Sequence, residues 1–372
     1  MKLTIERAAL LRALAHVQSV VERRNTIPIL ANVLLEAKAG ALALTATDMD
    51  LEIIERVPCE IGKEGAITAP AHTFYDIVRK LPEGAQVELG TNTERSQLLI
   101  RCGRSQFTLA TLPAEDFPVM TGGELPNEFG LAANELRMLV DRTSFAISTE
   151  ETRYYLNGIF LHAAVQGKVK LLRAAATDGH RLARVEMALP AGAEGMPGVI
   201  LPRKTVAEMR KLIEGSEAPV QIALSETRVR FGFDDIILTS KLIDGTFPDY
   251  ERVIPQNNDK VMEVGRQEFA EAVDRVSTIS TEKSRAVKLS LADGVLTLSA
   301  SSPEAGSATE ELEVKYTAGA LEIGFNSRYL LDIARQIEGE GAQFAMSDAA
   351  SPTVVRDVAD SSALYVLMPM RV

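Results

Sequence analysis

Ala176-Thr-Asp-Gly-His-Arg-Leu182 sets a carboxylate and an imidazole two residues apart, with a glycine between them and a guanidinium following. Such a pair can work as a base and its orienting acid, with Asp178 holding the His180 ring while the ring removes a proton. That chemistry needs a nucleophile. The chain has neither a Gly-x-Ser-x-Gly elbow nor a glycine-rich phosphate loop. Ala46-Thr-Asp-Met-Asp-Leu51 repeats the Thr-Asp step at an offset of 130 without a histidine, and the third related stretch reads Ser299-Ala-Ser-Ser-Pro-Glu-Ala305. Three readings stay open: a catalytic pair, a strand-end turn in which Asp bonds nearby backbone, and a turn that also shapes a binding site.

The elements around these turns recur. Residues 3–21, 129–147 and 262–280 each read as a strand entering a helix, with Leu10, Leu136 and Phe269 aligned at offsets of 126 and 133. A second strand-helix pattern covers 67–81, 199–213 and 322–337, aligning Phe74, Val206 and Leu330 at offsets of 132 and 124. Apolar residues then coincide at Ile77, Met209 and Ile333, and at Leu81, Ile213 and Ile337, on one helix face. Leu10, Leu14, Val17 and Val21 form a similar stripe. Phe117-Pro118 and Phe247-Pro248, 130 apart, close two of the units.

Between the helices run strand-like segments such as Asn32–Lys38, Ala41–Thr47 and Gln97–Cys102, on connections short enough for antiparallel pairing. The expected fold class is α+β: three repeated domains, each with two helices packed on antiparallel sheet. The expected domains are 1–122, 128–253 and 254–372, and the Gly-, Pro- and Asn-rich joints are 118–127 and 252–260.

Net charge is −11, unfavourable for tight phosphate binding. The distribution is uneven, however: residues 48–60 carry −4, and the predicted helix in 202–212 carries +3. One basic surface on an acidic body is therefore expected. The N-terminal stretch carries Glu6, Arg7 and Arg12, unlike the core of a signal peptide, and no apolar run reaches the ~18 residues of a membrane span. Cys59 and Cys102 are the only cysteines, which suits a reducing cytoplasm, and the scattered His and Cys show no metal spacing.

Two further stretches stand out. Arg153-Tyr-Tyr-Leu-Asn-Gly158, read as a strand, points its tyrosines to opposite faces, so one of them meets solvent or a ligand. Tyr365-Val-Leu-Met-Pro-Met-Arg-Val372 is unusually apolar for a chain end. It reads as a last strand in the sheet, as the lining of a groove through Met368 to Arg371, or as both.

The ordered set of these motifs, with Ile27–Glu36 and Asp244–Pro255, resembles the bacterial DNA polymerase III beta subunit family, the sliding clamps, over the whole chain. The resemblance implies a head-to-tail homodimeric ring around duplex DNA, without catalysis or cofactor. It also implies partners: a clamp loader, the replicative polymerase catalytic subunit and other proteins bearing a clamp-binding motif. The implied peptide cleft comprises Leu156, Thr177, Gly179, His180, Arg181, Leu182, Pro248, Arg252 and Val253, with Asn326, Tyr329, Val366, Met368, Pro369, Met370 and Arg371. The implied DNA-facing residues are Arg24, Arg153, Tyr154, Arg203 and Lys204, and the implied seam sets Phe107 and Leu109 against Thr278 and Ile279 of the second copy. Around that seam, acidic Glu304, Glu310, Glu311 and Glu313 are expected to meet Arg101 and Arg104. Glu150, Ala350, Pro352 and Thr278 depart from the family pattern.

Size is consistent with two chains. A domain of ~124 residues has a diameter of roughly 35 Å; three such spheres in a circle leave a hole of about 5 Å, and six leave about 35 Å. A DNA major groove alone is ~12 Å wide, so encirclement asks for six domains, which a closed twofold dimer supplies. The competing reading is a monomeric peptide-binding scaffold with no DNA role.

Overall fold

The computed structural model describes residues 1–371 apart from 25, 93, 121–122 and 281–284, so part of the first expected joint lies outside the described residues. The six strand-to-helix steps all form. The helices are α1 (Arg7–Gln18), α2 (Ala71–Lys80), α3 (Ala133–Ser144), α4 (Arg203–Leu212), α5 (Arg266–Ser277) and α6 (Ser327–Ala334). Strands Lys2–Glu6, Gly65–Pro70, Asn127–Leu131, Val199–Pro202, Lys260–Gly265 and Leu321–Asn326 lead directly into them. The junctions are stabilised by local caps. The Glu6 carboxylate accepts from the Ala9 N–H (2.8 Å), and the Asn326 side chain accepts from the Arg328 N–H (3.0 Å).

Leu10, Leu136 and Phe269 are buried, as are Phe74, Val206 and Leu330. The Leu10–Leu14–Val17–Val21 stripe is buried throughout, although Val21 lies beyond the end of α1. Ile77 departs from the expected face: it is only half-buried, and α2 fills its core with Phe74 and Val78, four residues apart.

Among the described residues all strand pairing is antiparallel, in sheets of five, eight, eight and four strands. The eight-stranded sheets join successive repeats. Leu51–Pro58 pairs with Ile236–Lys241, and Arg181–Ala188 pairs with Ala363–Leu367. Compact units therefore do not follow the repeats. One comprises Met1–Leu136, Pro190–Met196 and Ala207–Leu242, and the other Arg137–Leu189, Pro197–Val206 and Ile243–Val372. The first has a core built on α1, Phe74, Leu42, Leu44 and Ile100; the second buries Phe269, Phe325, Leu330 and Phe344.

The Arg153–Asn157 stretch is not a strand. Glu151–Leu156 forms a 3₁₀ turn, and the strand begins at Gly158. Local bonds decide this: the Asn157 side-chain amide donates to the Glu150 carbonyl (3.1 Å), and Glu150 grips Arg153 three residues on. One tyrosine nevertheless meets solvent, because Tyr154 is 54% exposed while Tyr155 is half-buried. At Gly158 the paired strand comes so close that a Cβ would collide with the Leu201 carbonyl. Gly158→Ala is expected to destabilise the fold by about 2 kcal/mol, as overpacking does; a denaturant midpoint unchanged from the wild type would contradict this close packing.

Candidate functional site

Asp178 is a turn residue. Its Oδ1 accepts from the backbone N–H groups of His180 (2.9 Å) and Arg181 (3.0 Å), and its Oδ2 accepts from Arg181 Nε (3.1 Å). The bond to His180 thus runs from the backbone rather than from the ring. Thr177 Oγ1 donates to the Arg181 carbonyl and accepts from the Gly179 N–H, at 2.7 and 3.1 Å. Asp48 repeats the device, accepting from Asp50 and Leu51 N–H at 2.9 and 2.7 Å. In the third repeat Ser302 Oγ accepts from Glu304 and Ala305 N–H at 3.3 and 3.4 Å.

The expected cleft residues all belong to the second compact unit, and backbone pairing assembles them. Arg181 and Leu182 lie opposite Leu367 and Val366, and the Met368 N–H donates to the His180 carbonyl (2.9 Å). The tail continues to the edge strand Leu321–Asn326, where the Met370 N–H donates to the Gly324 carbonyl (2.8 Å). The terminal segment is therefore a sheet strand through Leu367 and a bridging tail beyond it. Leu156, Leu182 and Val366 join Phe247, Tyr250 and Ile254 in a buried apolar floor. Val253 and Met368 are 55% and 42% exposed. Pro248 and Arg252 are exposed as well, with Arg252 Nε 2.7 Å from the Asp249 carboxylate.

On the other wall, Asn326 caps α6 and Tyr329 lies on its first turn. The Tyr329 ring stacks at 6.4 Å on His180, and the Arg181 guanidinium sits 4.4 Å from its centroid. Burial, together with the Asp178 charge, pushes the Tyr329 phenol above its ordinary range. Met370 and Arg371, with Ala349 and Ala350, line an adjoining open groove of about 900 Å³. The Ala350 departure is thus located at that groove.

Four of the expected DNA-facing residues form one neighbourhood. The Arg203 N–H donates to the Asn157 carbonyl (3.0 Å), which places the first turn of α4, with Lys204, beside the Arg153–Tyr154 turn. Arg24 is exposed in the first unit. Arg153 is not simply presented outward. Its Nε and Nη2 donate to the two Glu150 carboxylate oxygens at 2.8 and 2.6 Å. Its Nη1 would lie 2.7 Å from any Cβ on Gly179, whose φ of +89° already favours glycine. Hydrogen bonding from Arg153 holds the Glu150 carboxyl below its usual range. Neither this latch nor the carboxylate of Asp332, which receives Arg181 Nη1 at 2.6 Å, is visible as a spacing pattern; the Glu150 departure was the one available signal.

The expected seam residues sit on exposed edges. Phe107 and Leu109 are half-buried on edge strand Ser105–Ala110. Thr278 is exposed and Ile279 half-buried just past α5. Within the chain, Glu310 accepts from Arg275 at 2.6 and 3.1 Å.

A threefold α+β repeat whose antiparallel sheets run on from one repeat into the next defines the clamp class of fold. The comparisons make this specific. Residues 1–121, 130–249 and 251–371 match the N-terminal, central and C-terminal domains of the DNA polymerase III beta subunit. The beta sliding clamp of Caulobacter vibrioides is 56% identical over 372 residues, covering all of both chains. The crystal structure of the Caulobacter crescentus clamp superposes with a TM-score of 0.98 at 56% identity, covering 100% of this chain and 99% of that one. The Bartonella birtlesii clamp bound to griselimycin gives 0.97 at 51% identity, with both chains fully covered. The chain belongs to the DNA polymerase III beta subunit family and is a DNA sliding clamp.

Glu150→Gln should release Arg153 and remove a negative charge beside it. The expected result is tighter initial DNA binding, with the slope of log affinity against log salt steeper by about one phosphate contact. An unchanged slope would show that Arg153 does not reach phosphate.

Proposed function

We propose that two copies of this chain close head to tail into a ring around duplex DNA, catalyse no reaction, and hold polymerase and other partners through a short peptide seated in the Leu182–Val253–Met368 cleft. The observation that carries the tethering half is composition: the exposed apolar Val253 and Met368 stand within two residues of Ile254 and Val366, members of a buried apolar cluster, at the end of a paired strand. Solvent-exposed apolar groups beside a preformed floor suit a short apolar peptide.

Two edge strands support the ring. Ser105–Ala110 and Gly306–Glu313 are each the last strand of their sheet, and each presents unpaired backbone on one side. Unprotected edges invite pairing, and a closed dimer can cover them. Basic residues on α4 and an overall charge of −11 suit a ring that stays on DNA by topology rather than by grip.

Three outcomes test this reading. A peptide carrying Gln, Leu and Phe should bind the wild type and bind Met368→Ala about tenfold more weakly; equal titration curves would remove Met368 from the site. Leu109→Asp should sediment as monomer at concentrations where the wild type is dimeric, and a persistent dimer would displace the seam. Labelled protein loaded on a nicked circle should resist moderate salt and leave once the circle is cut. Retention on linear DNA with free ends would replace topology with direct phosphate binding.

A further inference from the structure

We propose that Asp332 is a positioning residue for the peptide cleft, acting through Arg181 to hold the Tyr329 ring in place. The inference rests on the cleft reading above. Arg181 is 9% exposed, and each of its three guanidinium nitrogens makes a hydrogen bond: Nε to Asp178 Oδ2, Nη1 to Asp332 Oδ2 (2.6 Å) and Nη2 to the Phe145 carbonyl (2.6 Å). Its Cζ lies over two rings, 4.4 Å from the centroid of Tyr329 and 5.1 Å from that of Phe145. Such a buried guanidinium holds its place only while its charge is met.

Asp178 engages only the Nε edge of the guanidinium, because its other oxygen accepts from two backbone N–H groups of the turn, so Nη1 needs a second acceptor. Asp332 supplies the second carboxylate. It stands three residues after Tyr329 on α6, so the two side chains are neighbours on one helix face and Arg181 crosses both. The Asp332 side chain is 16% exposed and also lies 3.4 Å from Arg335 Nη1 and 4.0 Å from Arg328 Nε, so it is itself centred by cations. The strut ties the turn after Thr177 to α6, and the His180–Tyr329 ring contact depends on that separation.

The test is a double-mutant cycle on the full-length protein, read by titration with the Gln-Leu-Phe peptide. Asp332→Asn keeps the shape and removes the charge; it should weaken binding about tenfold, within the range over which contacting residues couple. In a Tyr329→Ala background the same substitution should cost nothing, because the ring it positions is gone. A purely structural contribution would add in both backgrounds. Unchanged binding by Asp332→Asn, or penalties that simply multiply, would overturn the inference while leaving the cleft reading intact. Failure of the folded wild type to bind the peptide would overturn the cleft reading, and this inference with it. If Asp332→Asn does not fold, Asp332→Glu, which retains the charge but displaces it, enters the same cycle with the same expectations.

Discussion

The backbone ladder between Arg181–Ala188 and Ala363–Leu367 is the constraint from which the site follows. Strands need partners for their N–H and C=O groups, and here the partner comes from a different repeat. Antiparallel register then leaves no freedom. With Arg181 opposite Leu367, Leu182 must face Val366, and the next residue outward, Met368, must bond the carbonyl of His180. A slip of one residue would turn Leu182 away from the floor it shares with Leu156 and Phe247. The placement of Leu182, Val366 and Met368 is thus a consequence of where the ladder ends, and side-chain chemistry is added to a backbone position already set.

The first two repeats meet through an equivalent ladder, and the comparison shows what makes a cleft. Ser240 pairs with Leu51, and the Lys241 N–H donates to the Asp50 carbonyl (2.8 Å), as Met368 does to His180. The turns match as well. Met49 has φ +79° where Gly179 has +89°, and each N–H donates to its threonine hydroxyl. The side chains differ. Lys241 replaces Met368 and is ion-paired with Asp50 (2.8 Å); Leu51 replaces Arg181; and Met49 carries a side chain where glycine leaves room for Arg153. The same backbone therefore ends in an ion-paired lysine in one place and in an exposed methionine in the other.

This also explains what could be read before folding. The strand-helix repeats were legible because burial imposes a period of 3.6 on helices and 2 on strands, and Leu10, Phe74 and Phe269 obey it. The Asp178 turn was legible because Asx geometry is local, and the motif set placed the cleft residues through family likeness. The merging of repeats into eight-stranded sheets was not legible: pairing between residues 51–58 and 236–241 leaves no local trace in either segment. Arg153 misled for a related reason. Period-2 reasoning treats Tyr154 and Tyr155 as strand residues, whereas a side-chain bond from Asn157 and the Glu150 ion pair favour a tight turn.

The energetics of the cleft suit exchange of partners. Fully burying a Val or Met side chain is worth about 1.5–3 kcal/mol. Val253 and Met368 are already about half covered, so each has about 1 kcal/mol left to contribute, while Leu182 and Val366, at 2% and 3% exposure, have almost none. Apolar contact alone therefore cannot give a long-lived complex, since association also costs the ordering of a flexible peptide. Preorganisation offsets part of that cost on the protein side. The floor is packed, the turn is pinned by Thr177 and Asp178, and the Tyr329 wall is braced by Arg181. A rigid site with little apolar area left to cover binds readily and releases readily, which is the behaviour the proposed peptide site requires.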